Sequence, residues 1–208
     1  MERLKSQLLQ RKITKERFRL ECTVNQAKDM LTASYMAEVE YRRHKYNPLA
    51  EEYISKAAEW LVAGERFGLL MCGLTGNGKT TLMLAILSLI NYFDLRDDYN
   101  NELRVKLIDA RELVRLNKDN YQLFRTYRNA PMLAIDDIGT EPAEVLDYGN
   151  VLSPIVDVLS YRYNEQLFTL ATTNLGPKDI RNKYKDRIAD RFNEMMEKLI
   201  FTNHSYRV

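Results

Sequence analysis

Cysteine and histidine are scarce in this chain. It holds two of each, Cys22, Cys72, His44 and His204, with no CxxC spacing. So placed, they assemble neither a zinc cluster nor a disulfide framework. A reduced, cytoplasmic compartment is the expectation that follows. No apolar run approaches the ~20 residues that span a bilayer. The opening MERLKSQLLQRK carries charge but no apolar signal core, so neither membrane insertion nor secretion is expected. Charge of one sign is missing too: 31 Lys and Arg stand against 29 Asp and Glu, and a net +2 specifies no partner. Glycine and proline number only 8 and 5, and none of either lies between Met1 and Lys45.

What is present fits one domain of ordinary size with a modest extension, in 208 residues. A chain of that length buries roughly 70% of the surface it would expose unfolded, so it needs no covalent staple. The gap in glycine and proline reads as helix from Met1 to about Lys45, with Leu4, Leu8, Leu9, Ile13, Met30, Leu31, Tyr35 and Val39 at spacings near three and four. Its first part is basic: Arg3, Lys5, Arg11, Lys12, Lys15, Arg17 and Arg19 against Glu2 and Glu16. Such an arm can touch nucleic acid, or be simply a solvated helix face. A boundary is placed near Tyr46 to Pro48, giving a helical N-terminal arm over 1–47 for partner or DNA contact and a second unit over 48–208.

Beyond that boundary, strand and helix patterns alternate. RFGLLM, LRVKLIDA, PMLAIDDIG, LFTLATTN and KLIFTN read as strands. Between them lie a surface loop (DLRDDYNNE), helical stretches such as NVLSPIVDVLSYRYNEQ, and two short basic helices before the last strand. This order implies an α/β fold: a parallel sheet with helices on both faces, preceded by the helical arm.

The segment CGLTGNGKTT fits G-x-x-x-x-G-K-[ST] through Gly73, Gly78, Lys79 and Thr80, between a strand and a helix pattern. Backbone N–H groups of Gly73, Thr75, Gly76, Asn77, Gly78 and Thr81 would wrap a phosphate at the positive end of that helix. Lys79 would place its ammonium near the β- and γ-phosphates, and the Thr80 hydroxyl would hold Mg²⁺. In MLAIDDIG, Asp136 and Asp137 stand at the exit of a buried strand and face different directions. Asp136 suits a second Mg²⁺ contact and Asp137 the polarising of an attacking water; paired acids also merely cap turns. Asn174, ending TLATTN, reaches the same place or simply forms a turn. Arg187 and Arg191, four residues apart in KDRIADRF, share one helical face.

In this order GLTGNGKTT, MLAIDDIGTEP, LATTNLGPKDI and YKDRIADRF resemble the AAA+ ATPases of the DnaC/DnaI helicase-loader and IstB group, over about Ala57 to Val208. The resemblance implies a P-loop NTPase sheet, AAA+/RecA-like, with an extra strand between those bearing the Walker A and Walker B motifs. It implies ATP and Mg²⁺ as cofactors, Asn174 as sensor 1, and an arginine finger given to a neighbouring subunit, Arg191 by preference with Arg187 beside it. Asp137 departs from the glutamate common in AAA+ proteins, so slow turnover is expected. Seventeen residues follow Arg191, too few for a C-terminal lid domain; Tyr46 or its neighbours would then cover the adenine.

The resemblance therefore implies a slow ATPase, dependent on oligomer or DNA, that acts in replication as a helicase loader and binds single-stranded DNA. Its partners would be a replicative helicase and further copies of itself. The alternative is an IstB-like ATPase assisting a transposase in target choice. A small-molecule kinase is disfavoured by IDDIG beside TTN, and a non-hydrolysing adaptor by the intact Lys79, Thr80, Asp136 and Asp137. Lys178, Arg181, Lys183 and Lys185 are the expected DNA contacts outside the arm.

Overall fold

Successive residues of the central strands bury on opposite sides, and this sets the architecture. In β1 (Gly68–Gly73), Leu69 and Met71 join one apolar cluster while Leu70 and Cys72 join another. In β3 (Met132–Ile138), Met132 and Ala134 face the first cluster, Leu133 and Ile135 the second. A period of two with both faces apolar requires cover on both sides. The computed structural model describes residues 1–10, 17–96, 100, 102–147 and 150–206, and it supplies that cover.

Five strands form one parallel sheet in the order β2 (Val105–Asp109), β3, β6 (Phe168–Thr173), β1, β7 (Met196–Phe201). The first cluster lies under α2 (Val24–Tyr41), α3 (Ala50–Ala63) and α4 (Lys79–Tyr92). The second lies under α5 (Ala110–Asp119), α6 (Tyr121–Arg128), α7 (Pro154–Glu165) and α8 (Pro177–Met195). The expected parallel α/β sheet, helices on both faces and N-terminal helices are all present. A separate hairpin, β4 (Val145–Asp147) with β5 (Asn150–Leu152), precedes α7.

Two local readings change. The N-terminal region is not one helix. After α1 (Glu2–Gln10), residues 17–22 run without helix, and α2 starts afresh behind Thr23. Thr23 accepts from the Gln26 N–H at 3.3 Å while its own N–H donates to Gln26 Oε1 at 3.0 Å, a capping box. The extended stretch is held by tertiary contacts: the Phe18 ring meets Phe168 edge-on at 5.3 Å, and the Leu20 N–H donates to the Leu61 carbonyl at 2.8 Å. Within α2, Ala27, Leu31, Tyr35 and Val39 bury into the cluster that α3 and α4 share. The second change is at Asn150: helix was expected from there, but Asn150–Leu152 is strand and the helix begins at Pro154. Arg11, Lys12, Ile13, Lys15 and Glu16, and most of the polar loop over 97–101, lie outside the described residues.

Arg162 is wholly buried where the strands begin. It donates to Thr169 Oγ1 at 2.8 Å, to the carbonyls of Arg128 at 3.1 Å and Ala130 at 2.7 Å, and to that of Phe168. This holds the starts of β3 and β6 to α7 and leaves the opposite, C-terminal ends of the strands free to carry chemistry.

Candidate nucleotide-binding site

β1 ends at Gly73, residues 74–78 form a turn, and α4 begins at Lys79. The turn admits no side chain at two positions. Gly73 has φ +151°, and a Cβ there would lie 2.6 Å from the Phe201 carbonyl oxygen. Gly78 has φ +97° with Tyr206 Cε2 3.0 Å from the Cβ position. The Lys79 side chain, 5% exposed, folds into this turn. Its ammonium donates to the carbonyls of Gly73 and Leu74, both at 2.8 Å, to Asn77 Oδ1 at 3.1 Å and to Asn174 Oδ1 at 2.9 Å.

The two acids sit in a β-bulge. Ile135 pairs with Ala171, but Ile138 pairs with Thr173, so β3 carries one extra residue over β6 there. Asp137 adopts φ +56°, which separates its carboxylate from that of Asp136. Thr172, fully buried, holds the bulge: it accepts the Asp137 N–H at 2.8 Å and donates to Asp136 Oδ1. Thr80 Oγ1 donates to the same carboxylate oxygen at 3.1 Å. The third residue of the TTN run, Asn174, meets Lys79, whereas Thr173 donates to the Ile138 carbonyl at 2.6 Å. Burial, then the neighbouring charges of Asp136 and Asp109, raise the Asp137 carboxyl above the ordinary carboxylate value. Asp109, at the end of β2, is lowered by its hydrogen bond from Arg111.

A cavity of about 1020 Å³ opens over these groups. Thr75, Gly76, Asn77, Gly78, Lys79, Thr80, Thr81, Asp136, Asp137 and Asn174 all line it, and Gly73 closes the turn behind them. It is larger than a phosphate requires and suits a whole small molecule. Its far side comes from α2, the segment after it and the C-terminal segment: Tyr35, Arg42, Tyr46 and Tyr206. Arg42 donates to Thr81 Oγ1 at 3.0 Å. Tyr46 and its neighbours in RRHKYNPLAEEY, which begins at Arg42, were anticipated; Tyr35 and Tyr206 were not, because no local pattern links them to the glycine turn. A second cavity, about 1390 Å³, lies at the opposite ends of the strands beside Phe67, Met132 and Phe168 and holds none of the motif residues.

Arg191 is not in the site. Its guanidinium stacks over the Tyr163 ring at 5.0 Å, and its Nη1 is buried without a hydrogen-bond partner. Arg187 belongs to α8, and its side chain lies outside the described residues. Of the four basic residues expected to meet DNA, Arg181 pairs with Asp186 and Asp190. Lys183 donates to the carbonyls of Gly139 and Glu141. Lys178 and Lys185 are exposed.

No protein-family model and no curated protein sequence matches the chain. Solved structures do. A crystal structure of the DnaC helicase loader superposes with TM-score 0.58 at 22% identity, over 76% of this chain and 93% of that one. DnaI superposes with TM-score 0.51 at 23% identity, over 67% and 72%. AMPPCP-bound DnaA from Aquifex aeolicus gives TM-score 0.53 at 15% identity, over 76% of this chain and 49% of that one. The fold is the P-loop AAA+ fold. Its expected mark is here: β6, the strand that Asn174 follows, stands between β1 with the glycine turn and β3 with the two acids. Within this AAA+ sheet, all three strand ends open into one cavity.

Among the described residues no group of three or more His, Cys, Asp or Glu side chains could hold a metal alone. Magnesium does not require one, since it is held by one or two carboxylates, water and phosphate oxygens. The Thr80 hydroxyl against the Asp136 carboxylate is a donor set that fits it. No described helix is long and apolar enough to cross a membrane.

Proposed function

We propose that the chain binds and hydrolyses ATP and acts in DNA replication as a DnaC-like helicase loader that binds single-stranded DNA. One observation carries the ATP part: Lys79, Thr80, Asp136, Asp137 and Asn174 converge on one cavity at the C-terminal edge of an AAA+ sheet. The likeness to the DnaC helicase loader and to the replication initiator DnaA bound to AMPPCP supports the replication part. Phosphate would take the place of the loop carbonyls and Asn174 around the Lys79 ammonium. Thr80 and Asp136 would hold magnesium, whose positive charge would offset that of the phosphates. Asp137 would accept the proton of the attacking water, and Asn174 would position that water or the terminal phosphate.

Calorimetry with Mg-ATP tests the first part. Wild type should bind, and Lys79→Ala should show no binding while retaining its unfolding temperature; binding by Lys79→Ala equal to wild type would remove the assignment. Affinity for a single-stranded oligonucleotide should fall steeply between about 50 and 200 mM salt with little sequence preference. A pull-down in the presence of ATP tests the partner. Capture of the replicative helicase supports the loader, and capture of a transposase instead replaces it with the IstB-like role.

A further inference from the structure

The cavity has a phosphate end and an aromatic end, and the aromatic end is built by the chain's last described residues. After β7, three tethers lay the backbone across the glycine turn. The Thr202 N–H donates to the Tyr53 hydroxyl at 3.1 Å, Asn203 Nδ2 donates to the Asn77 carbonyl at 3.1 Å, and the Tyr206 N–H donates to the Gly76 carbonyl at 2.8 Å. They set Tyr206 with one ring edge, Cδ2 and Cε2, 3.4 and 3.0 Å from the Cβ position of Gly78. Tyr35 Oη approaches the same point to 3.2 Å from the α2 side. Tyr46 meets Tyr35 edge-on at 6.2 Å and lines the same cavity.

Three polar atoms at this junction are shielded from solvent and lack any hydrogen-bond partner: the Tyr206 hydroxyl, Asn203 Oδ1 and Asn77 Nδ2, the last on a residue with no exposure. Native structures leave few such atoms, and a cluster of them beside a cavity points to a missing ligand. An aromatic face with spare donors and an acceptor, joined to a phosphate cradle, is complementary to a nucleobase and its ribose.

We propose that Tyr206, held on the glycine turn by the 202–206 segment, is the aromatic wall that binds the nucleotide base, with Tyr35 and Tyr46 completing the pocket. The proposal rests on the nucleotide reading above and adds the base subsite to it. The five residues 202–206 then wall one side of the base subsite. Because their tethers run to Gly76 and Asn77, base binding and the shape of the phosphate loop are coupled through one backbone hydrogen bond and one from the Asn203 side chain.

The test compares two probes, Mg-ATP and magnesium tripolyphosphate, which share the phosphates and differ in the base. Calorimetry is run on wild type, Tyr206→Ala, Tyr206→Leu and Tyr206→Phe, each checked for folding by circular dichroism. Tyr206→Leu keeps apolar bulk on Gly78 and stands in if the alanine variant does not fold. The expected result is a loss of ATP affinity of about tenfold in the Ala and Leu variants. Tripolyphosphate affinity stays at the wild-type value, and Tyr206→Phe, which keeps the ring and loses the hydroxyl, binds ATP more tightly than the Ala and Leu variants and less tightly than wild type. Unchanged or increased ATP affinity in those variants overturns the proposal, as does an equal loss for both probes, which would mean that Tyr206 only shapes the loop. Those outcomes leave the nucleotide reading standing. Wild-type protein that binds neither probe overturns both.

Discussion

At the residue scale, Asp137 stands apart from an ordinary surface carboxylate. Its backbone is in the left-handed region, its N–H is fixed by Thr172, and burial with Asp136 and Asp109 nearby raises its carboxyl. The sign of that shift yields two linked expectations. A raised native pKa means that folding disfavours the ionised form, so the charge costs stability once pH exceeds the native pKa, and Asn at this position removes the cost. In the general-base role proposed for it, the same group is active only when ionised. Turnover should therefore fall on the acid side at a pH above the usual carboxylate range. Asp137→Asn should lower kcat by about 10²-fold or more, leave ATP binding intact, and unfold at an equal or higher temperature than wild type at neutral pH. A pH–rate profile and a melting curve check both; a large drop in melting temperature would make Asp137 a structural residue.

At the scale of elements, the bulge of β3 is wired to α8. Past Asp137, the Gly139 N–H donates to Glu141 Oε2 at 2.7 Å, and the buried Glu141 carboxylate accepts from the Tyr184 hydroxyl. Lys183 stands 3.7 Å from that carboxylate and donates to the Gly139 and Glu141 carbonyls. One residue beyond Tyr184 the helix kinks, with Lys185 at φ +67°, and Arg181 bridges the kink to Asp186 and Asp190. Removing the carboxylate strands a buried hydroxyl and a backbone N–H. Glu141→Ala should thus cost about 2 kcal/mol or more, read as a melting temperature lower by about 4–8 °C. Glu141→Gln, which keeps an acceptor for Tyr184, should lose less.

The elements differ in how openly the sequence announces them. Asp136, Asp137 and Asn174 are legible because each stands where an apolar strand pattern stops, Lys79 because it closes the glycine motif after such a strand, and parallel strands bring these points to one edge. Tyr35 and Tyr206 are not. The stripe of Ala27, Leu31, Tyr35 and Val39 declares a buried face without saying that α4 and the glycine turn are what it meets. The break at residues 17–22 is hidden for the same reason, since Phe18 and Leu20 are fixed by Phe168 and Leu61, far along the chain. Glu141 looks like a surface acid until the fold lays α8 over it.

At the scale of the molecule, the question is whether one chain contains a whole site. Arg191 is spent on Tyr163 and does not line its own cavity. Two arginines, Arg42 and Arg43, line the cavity, and Arg42 donates to Thr81 Oγ1. If an arginine must reach the terminal phosphate, a neighbouring subunit is the natural source, and the active species is an assembly. Mixing separates this from a self-contained site. Lys79→Ala destroys the phosphate cradle but keeps every arginine; Arg191→Ala and Arg187→Ala keep the cradle. Lys79→Ala should be nearly inactive alone, and so should whichever arginine variant lacks the finger, by on the order of 10³-fold in kcat. When Lys79→Ala is mixed with the variant lacking the true finger, subunits alternate, and an intact cradle meets an intact arginine. Turnover should then reappear, rising with protein concentration as mixed assemblies form. The arginine whose variant is inactive alone and rescued in the mixture is the finger. Mixtures as inactive as their components, together with wild-type turnover per subunit that is independent of concentration, would place the complete site within a single chain.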